Sequence, residues 1–445
     1  MSAGGSAFSE TVAPPAAEAR LRRSGSISPA AIAVSLYASM VVSRLAEAIP
    51  FAATLRPMVI LAAVMVALAL ALPPSRAYAL FRPVEARGLL GILLLIALSI
   101  PTSYWPGASF GALMTFPKSL VFFFSVIYCI RTRRELRLAL WGFLAAIGGL
   151  ALVAVVAGGS GRVLVTQSYD VNDLALVMAC GIPLAVMLML AERGPLRWIL
   201  PLIALLGTLT VIHTKSRGGF IAFGVVGLLL LVKIPSRTPL LRVGLLLAVI
   251  LTFALLAPSS YWQRISSIWG GEDPTTDGYV AGGFETARWQ IWKNGLILIA
   301  SRPILGVGAA AFPVAEGSLH QGGKWNAAHN SFIQIGAELG LPGLGLYVFL
   351  LYRGFANCRK VIRATPRRGP LSGYHWTAHG IEASLWGYVV AASALNHAYS
   401  DIFYFLLALS MVLVRLTTAS LRRATPTFGA ASVRSPMGPW WKRTA

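Results

Sequence analysis

The sequence is poor in charge. Asp, Glu, Lys and Arg make up only 12% of its 445 residues, about half the share of an average soluble domain. That shortage, beside 56% apolar residues, excludes an ordinary soluble chain and gives a polytopic membrane protein. Acidic residues are the scarcest charges, 16 Asp and Glu against 38 Lys and Arg. A net charge of +22 can mark a nucleic-acid binder, but in a membrane chain it belongs to cytoplasmic loops, so no nucleic acid is expected. Cysteine is limited to Cys129, Cys180 and Cys358. Their spacing suits neither metal ligation nor a disulfide framework, and they read as packing residues. Paired His/Asp ligand motifs are missing as well.

What is present is apolar sequence in long runs. The pattern predicts an all-α polytopic membrane protein with about twelve transmembrane helices. The spans lie near 29–47, 51–73, 88–105, 110–130, 135–157, 172–191, 196–213, 217–235, 239–257, 328–352, 380–398 and 401–419. Residues 1–27 read as a disordered cytoplasmic tail, 28–257 as helices one to nine, 258–327 as a long outer loop, 328–420 as helices ten to twelve, and 421–445 as a basic cytoplasmic tail. The first tail lacks the short apolar region and cleavage site of a signal peptide.

Charge tests the count. With the N-terminus inside, the inner segments hold Arg76, Arg82 and Arg87, then Arg131, Arg133, Arg134 and Arg137, then Arg193 and Arg197. Lys233, Arg359, Lys360, Arg363, Arg422 and Arg423 follow the same rule. The short outer loops are nearly free of them, which places both termini in the cytoplasm. A loop as long as 258–327 needs a function. Its stretch "GFETARWQIWKNGLILIASRP" reads as a helix lying on the membrane surface, anchored by Trp289 and Trp292. "EDPTTDG" (272–278) lacks the alternating ligands of a calcium loop and reads as a turn.

The exceptions carry the function. Lys215 and Arg217 sit on the outer face, the long loop adds Arg288 among other cations, and Arg44 and Arg56 lie near the outer ends of the first two spans. Intramembrane charges are costly and mark function, although Arg44 and Arg56 are also placed for snorkelling. Three spans that enter from outside open on polar residues. The sixth opens with Asp170, Asn172 and Asp173, the eighth with Ser216-Arg217-Gly218-Gly219, the tenth with His329-Asn330-Ser331. Helix N-termini attract anions. Ser216 can cap, the glycines allow backbone to approach a ligand, and Arg217 can grip phosphate bidentately. Simple capping by Asn172, Asp173, Ser216 and Asn330 is the plainer reading, and capping is compatible with a site. Together the cations point to an outward-facing site for an anion such as a polyprenyl pyrophosphate.

"TKSRGGF" before one span and "HN" opening a later one, with a long loop between, resemble the bacterial O-antigen ligase and polymerase superfamily. The family's pattern of His, Asn/Ser/Gln, nine residues, Gly, two residues and Gly/Thr/Tyr is matched by His329, Asn330, Gly340 and Gly343. The Ser-Arg-Gly element is matched at Ser216-Arg217-Gly218, and Asn172-Asp173, "ARWQIW" and "PILGVG" are also similar. The likeness covers roughly 170–350. The resemblance implies a C-type glycosyltransferase fold and transfer of a glycan from undecaprenyl pyrophosphate to an acceptor hydroxyl. It implies the periplasmic side of the bacterial inner membrane, metal independence and no cofactor. The acceptor would be lipid A-core in a ligase of lipopolysaccharide biosynthesis. In an O-antigen or exopolysaccharide polymerase it would be another lipid-linked repeat, and in a protein O-glycan ligase a protein.

In that reading Arg217, Lys215 and Arg288, with Ser216 and Gly218, hold the pyrophosphate, and His329 takes the acceptor proton. Asn330, Asn172, Asp173, Arg44, Arg56 and Glu338 support them. His397, near Tyr399 and Asp401, is placed to line an acceptor entry or simply to pack. His375 and His379 are expected in a cytoplasmic loop. Lys118, Glu338 and Glu382 keep a secondary transporter open as the alternative. On the tenth span His329, Gly336, Gly340 and Gly343 are expected to share a close-packing face. Asn330, Gln334 and Glu338 form a separate polar stripe whose partner is not legible.

Overall fold

The computed structural model describes residues 27–44, 81–157, 169–234, 284–319 and 325–424, with isolated positions between 60 and 67 and between 239 and 262. Residues 1–26 and 425–445, most of the spans at 51–73 and 239–257, Arg56, His320 and the turn at 272–278 lie outside the described residues. Among the described residues all regular structure is helical. Among the described residues seven helices are long and apolar enough to cross a membrane.

Helix α1 (Pro29–Ser43) starts on Ser28, whose hydroxyl accepts from Ala31 N, with Pro29 at the first helical position. It is followed by α2 (Val84–Ser99), α3 (Pro106–Cys129) and α4 (Arg133–Ala157). Helix α5 (Val171–Ala191) is apolar on every face and the most enclosed of the candidate spans, packed by α4, α6 (Ile199–Thr214), α7 (Arg217–Lys233) and α11 (Ser372–Ala392). An all-round apolar helix is a buried one. Helices α8 (Phe284–Ser301), α9 (Phe312–Ser318), α10 (Ser331–Ala364) and α12 (Asp401–Ala424) complete the described elements.

Three expectations need correction or gain detail. The eleventh span, placed at 380–398, is α11 at Ser372–Ala392, so His375 and His379 lie on a helix rather than in a loop. Its first turns are rich in polar side chains, which lowers their hydropathy, yet Tyr374, His375, Trp376 and Thr377 are buried against neighbouring helices. The stretch around 284–301 is helical as expected, but α8 packs on α10: a Cβ on Gly336 would meet Ile299 at 2.9 Å. Trp289 is exposed, whereas Trp292 donates Nε1–H to Ala328 O at 3.1 Å and so holds the segment before His329.

The third correction concerns α10. It is not one straight helix but is broken at Gly340, whose φ of 70° and ψ of −172° are closed to most L side chains. Pro342 supplies no N–H to repair the ladder. The freed groups are taken up by residues 303–308: Leu341 N donates to Pro303 O (2.8 Å), Val307 N to Ala337 O (2.8 Å) and Gly308 N to Glu338 O (3.0 Å). Irregular backbone at membrane depth persists where protein satisfies it in this way. A Cβ on Gly340 would lie 2.5 Å from Pro303 O, and one on Gly306 would strike the Glu338 backbone. The loop is gripped from its other side by Ser109 Oγ, donating to Ala309 O at 2.7 Å, and by Tyr104 N, donating to Val307 O at 2.9 Å. The close-packing surface expected along His329, Gly336, Gly340 and Gly343 is therefore interrupted, and its tightest approach is to a loop rather than to a helix.

Candidate functional site

Three helix N-termini meet at one end of the bundle. At the start of α5, Asp170 caps through its carboxylate, which accepts from Asn172 N (2.7 Å) and Asp173 N (2.8 Å), and Asp173 returns the bond by accepting from Asp170 N (3.1 Å). This is a capping box. At the start of α7, Ser216 Oγ accepts from Gly219 N (3.1 Å) and donates to Asn172 Oδ1 (2.7 Å), tying the two ends together. At the start of α10, Asn330 caps by accepting from Phe332 N (2.9 Å) and Ile333 N (3.2 Å). Capping and site-building are thus the same contacts.

The glycines of α7 serve packing. A Cβ on Gly219 would lie 2.5 Å from the Cβ of Ala175 on α5, and one on Gly218 would lie 3.1 Å from that of Ala394. At these positions the backbone is approached by α5 and by the segment after α11. Arg217, the first residue of α7, is half-buried, as is Lys215.

The segment 393–400 joins all three ends. His397 Nε2 meets Asp173 Oδ1 at 2.7 Å, with both side chains about one-fifth exposed. The His397 backbone N–H donates to Ser331 Oγ (2.8 Å), and that hydroxyl donates to Leu395 O (2.7 Å). Tyr388 OH donates to His397 O at 2.6 Å. The sequence reading placed His397 on this side but not in this contact; its one signal was proximity to a helix end facing the same way as Asp173.

His329 stands just before α10, outside the helix, in a left-handed conformation with φ 46°. Lys215 (φ 50°) and Arg44 (φ 53°) share that conformation. Each costs about 1–2 kcal/mol for an L residue, and such strain concentrates at functional positions. Burial, and then the Arg288 guanidinium, push the His329 imidazole below its ordinary value of 6.5, while Asp170 and Asp173 pull the other way. That electrostatic coupling places His329, Arg288, Asp170 and Asp173 in one neighbourhood. Arg44 joins it over the Tyr169 ring, 5.3 Å from the centroid. Arg302, another cation of the long loop, is a brace: it donates to Thr102 O at 2.6 Å and lies 4.6 Å from the Tyr104 centroid.

Residues 202–348 match the family model described as O-antigen ligase. The match covers about a third of the chain and supports the O-antigen ligase superfamily. The matched ligase segment runs from α6 through the break in α10, and so contains Ser216-Arg217-Gly218, Arg288, His329 and Gly340. No curated protein matches the chain. The Asn172–Asp173 and His397 contacts lie outside the matched segment.

Glu338 does not open onto the site. It is 1% exposed, and Tyr399 OH donates to its Oε2 at 2.9 Å. Tyr399 is therefore one of the buried partners that the sequence left open. Glu382 has partners too: Lys233 Nζ at 2.5 Å and Arg359 Nε at 3.2 Å, at the opposite end of the bundle. Lys118 is exposed on the side of α3. Among the described residues no group of three His, Cys, Asp or Glu has the arrangement of a metal site.

Proposed function

We propose that this ligase-superfamily enzyme moves a glycan from undecaprenyl pyrophosphate to an acceptor hydroxyl on the periplasmic side of the inner membrane, with lipid A-core as the acceptor. The observation that carries the reading is the convergence of three helix N-termini with Arg217, Lys215, Arg288 and a strained, partly buried His329. Helix N-termini and guanidinium groups stabilise a departing pyrophosphate. An imidazole held below its ordinary value is neutral near pH 7 and free to accept a proton.

In the proposed step the acceptor hydroxyl gives its proton to His329 as its oxygen bonds to the anomeric carbon. The bond from that carbon to the pyrophosphate oxygen breaks, and the pyrophosphate leaves with the electron pair toward Arg217, Lys215 and Arg288. Attack opposite the leaving group inverts the anomeric centre. No metal is needed in this scheme. Asp173 and His397 hold the ends of α5 and α10 at the spacing the step requires. Arg44 adds positive potential beside Tyr169. Glu338 and Glu382, two of the residues that kept a transporter open, are paired with Tyr399 and with Lys233; the cations gathered at the helix N-termini favour the transferase reading.

The test is purified protein in proteoliposomes with lipid-linked glycan and lipid A-core. Release of polyprenyl pyrophosphate together with glycosylated acceptor supports the reading; movement of donor without release sinks it. Polymerisation of donor without transfer to core moves the enzyme to the polymerase branch. In a deletion strain, core without any O-chain corresponds to the ligase and core with one repeat to the polymerase.

A further inference from the structure

At the end of the bundle opposite His329 lies a cavity of about 770 Å³. It opens where the start of α4, the end of α5, the turn into α11 and the end of α12 come together. Six arginines line it: Arg131, Arg133, Arg134, Arg137, Arg193 and Arg423. Glu192 is the single carboxylate of the lining, and it is already engaged by Arg137 Nε at 2.6 Å and Trp141 Nε1 at 3.3 Å. Arg133 lies against the Tyr374 ring and reaches Pro370 O, which holds its position without neutralising its charge. Among the described residues no hydrogen bond or ion pair engages the side chains of Arg193 or Arg423.

A general preference for arginine on one side of a membrane spreads charge over loops. It does not call for a concave space rimmed by cations, where mutual repulsion is strongest and a counter-anion lowers the energy most. Guanidinium forks match phosphate oxygens. Below the rim the wall turns apolar, with Leu140, Leu188 and Leu416. A soluble anion has no use for that wall, whereas a lipid with a phosphate head and acyl chains uses both parts. Basic pockets between helix ends are a recurring way to hold anionic headgroups.

We propose that this cavity binds the phosphate headgroup of an anionic phospholipid. Arg193 and Arg423 take the phosphate, and the leucines meet the glycerol and upper acyl carbons. The site is separate from the glycan-transfer reading and stands whether or not that reading does.

The experiment uses the full chain in nanodiscs of phosphatidylcholine alone or of phosphatidylcholine and phosphatidylglycerol in equal parts. Retained lipid is counted by native mass spectrometry and stability is read from the thermal midpoint. The wild type should keep phosphatidylglycerol and unfold at a higher temperature in its presence. Arg193→Gln/Arg423→Gln should retain it about tenfold less. Lys360→Gln/Arg363→Gln removes the same charge from the same end but outside the cavity, and should retain it like the wild type. Equal loss in both double variants, or no retention by the wild type, overturns the proposal. An equal rise in midpoint with inorganic pyrophosphate in phosphatidylcholine discs would assign the cavity to a soluble anion and overturn it too. If the cavity variant fails to fold, a photoactivatable phosphatidylglycerol on the wild type decides: labelling of the 369–377 peptide supports the site, and labelling only elsewhere removes it.

Discussion

His329 is held in a backbone conformation that its side chain does not favour, and its imidazole is held below its ordinary value by burial and by Arg288. The sign of the consequence is fixed. Protonation costs more in the folded site than in water, so the neutral base persists as pH falls past 6.5 and is lost only below it. The acid limb of the turnover profile should therefore lie below pH 6.5. Arg288→Gln removes one of the two lowering causes, so that limb should move to higher pH; an unmoved limb would detach Arg288 from His329. His329→Ala should lower turnover by about 10²–10⁴-fold with normal expression. Full activity of that variant removes it from the mechanism. Asp173→Asn and His397→Gln are expected to act through one contact. The double variant should then be no worse than the weaker single one, and additive losses would show independent roles.

At the scale of elements, α10 is the clearest case of a sequence pattern acquiring a different meaning. The Gly340-Leu341-Pro342-Gly343 run reads as a close-packing face if the helix is assumed continuous. In the structure it is the site of a break, and Gly340 adopts a backbone conformation that a Cβ would obstruct. Gly340→Ala should destabilise the protein by at least about 1–3 kcal/mol from strain alone. Limited proteolysis within 303–312 should rise with it, since that loop is held by the groups the break frees. A variant as stable as the wild type would mean that the break is not needed. Asn330→Ala should cost about 1 kcal/mol as a lost cap, measured as a shift in thermal midpoint, and lower activity by misplacing the adjacent His329. Seen from sequence, Asn330 and Ser216 were legible as caps, because capping is a local contact between neighbours in the chain. The loop at 303–308 was legible only as a resemblance, because nothing local says which broken helix it will satisfy.

At the scale of the whole molecule, the two ends differ in kind. One carries the three helix N-termini and the strained cations, the other the arginine-rimmed cavity and the Lys233–Glu382–Arg359 group. Single-cysteine labelling should separate them. A cysteine at Asn396 is expected to react with an impermeant maleimide from the periplasm and one at Arg363 only from the cytoplasm. The reverse result would invert the topology and move the proposed reaction to the wrong membrane face. The amount of apolar sequence, the spacing of its interruptions and the one-sided distribution of Lys and Arg were enough to establish an all-helical membrane chain and to say which ends belong together. These are one-dimensional properties, summed over many residues, and they follow from transfer free energies that do not depend on neighbours in space. The pairing of His397 with Asp173 spans 224 positions, and that of Tyr399 with Glu338 spans 61. No local rule selects such partners. Only the packing of α5, α10 and α11 decided them, because buried polar groups take whichever partner the folded bundle brings within reach.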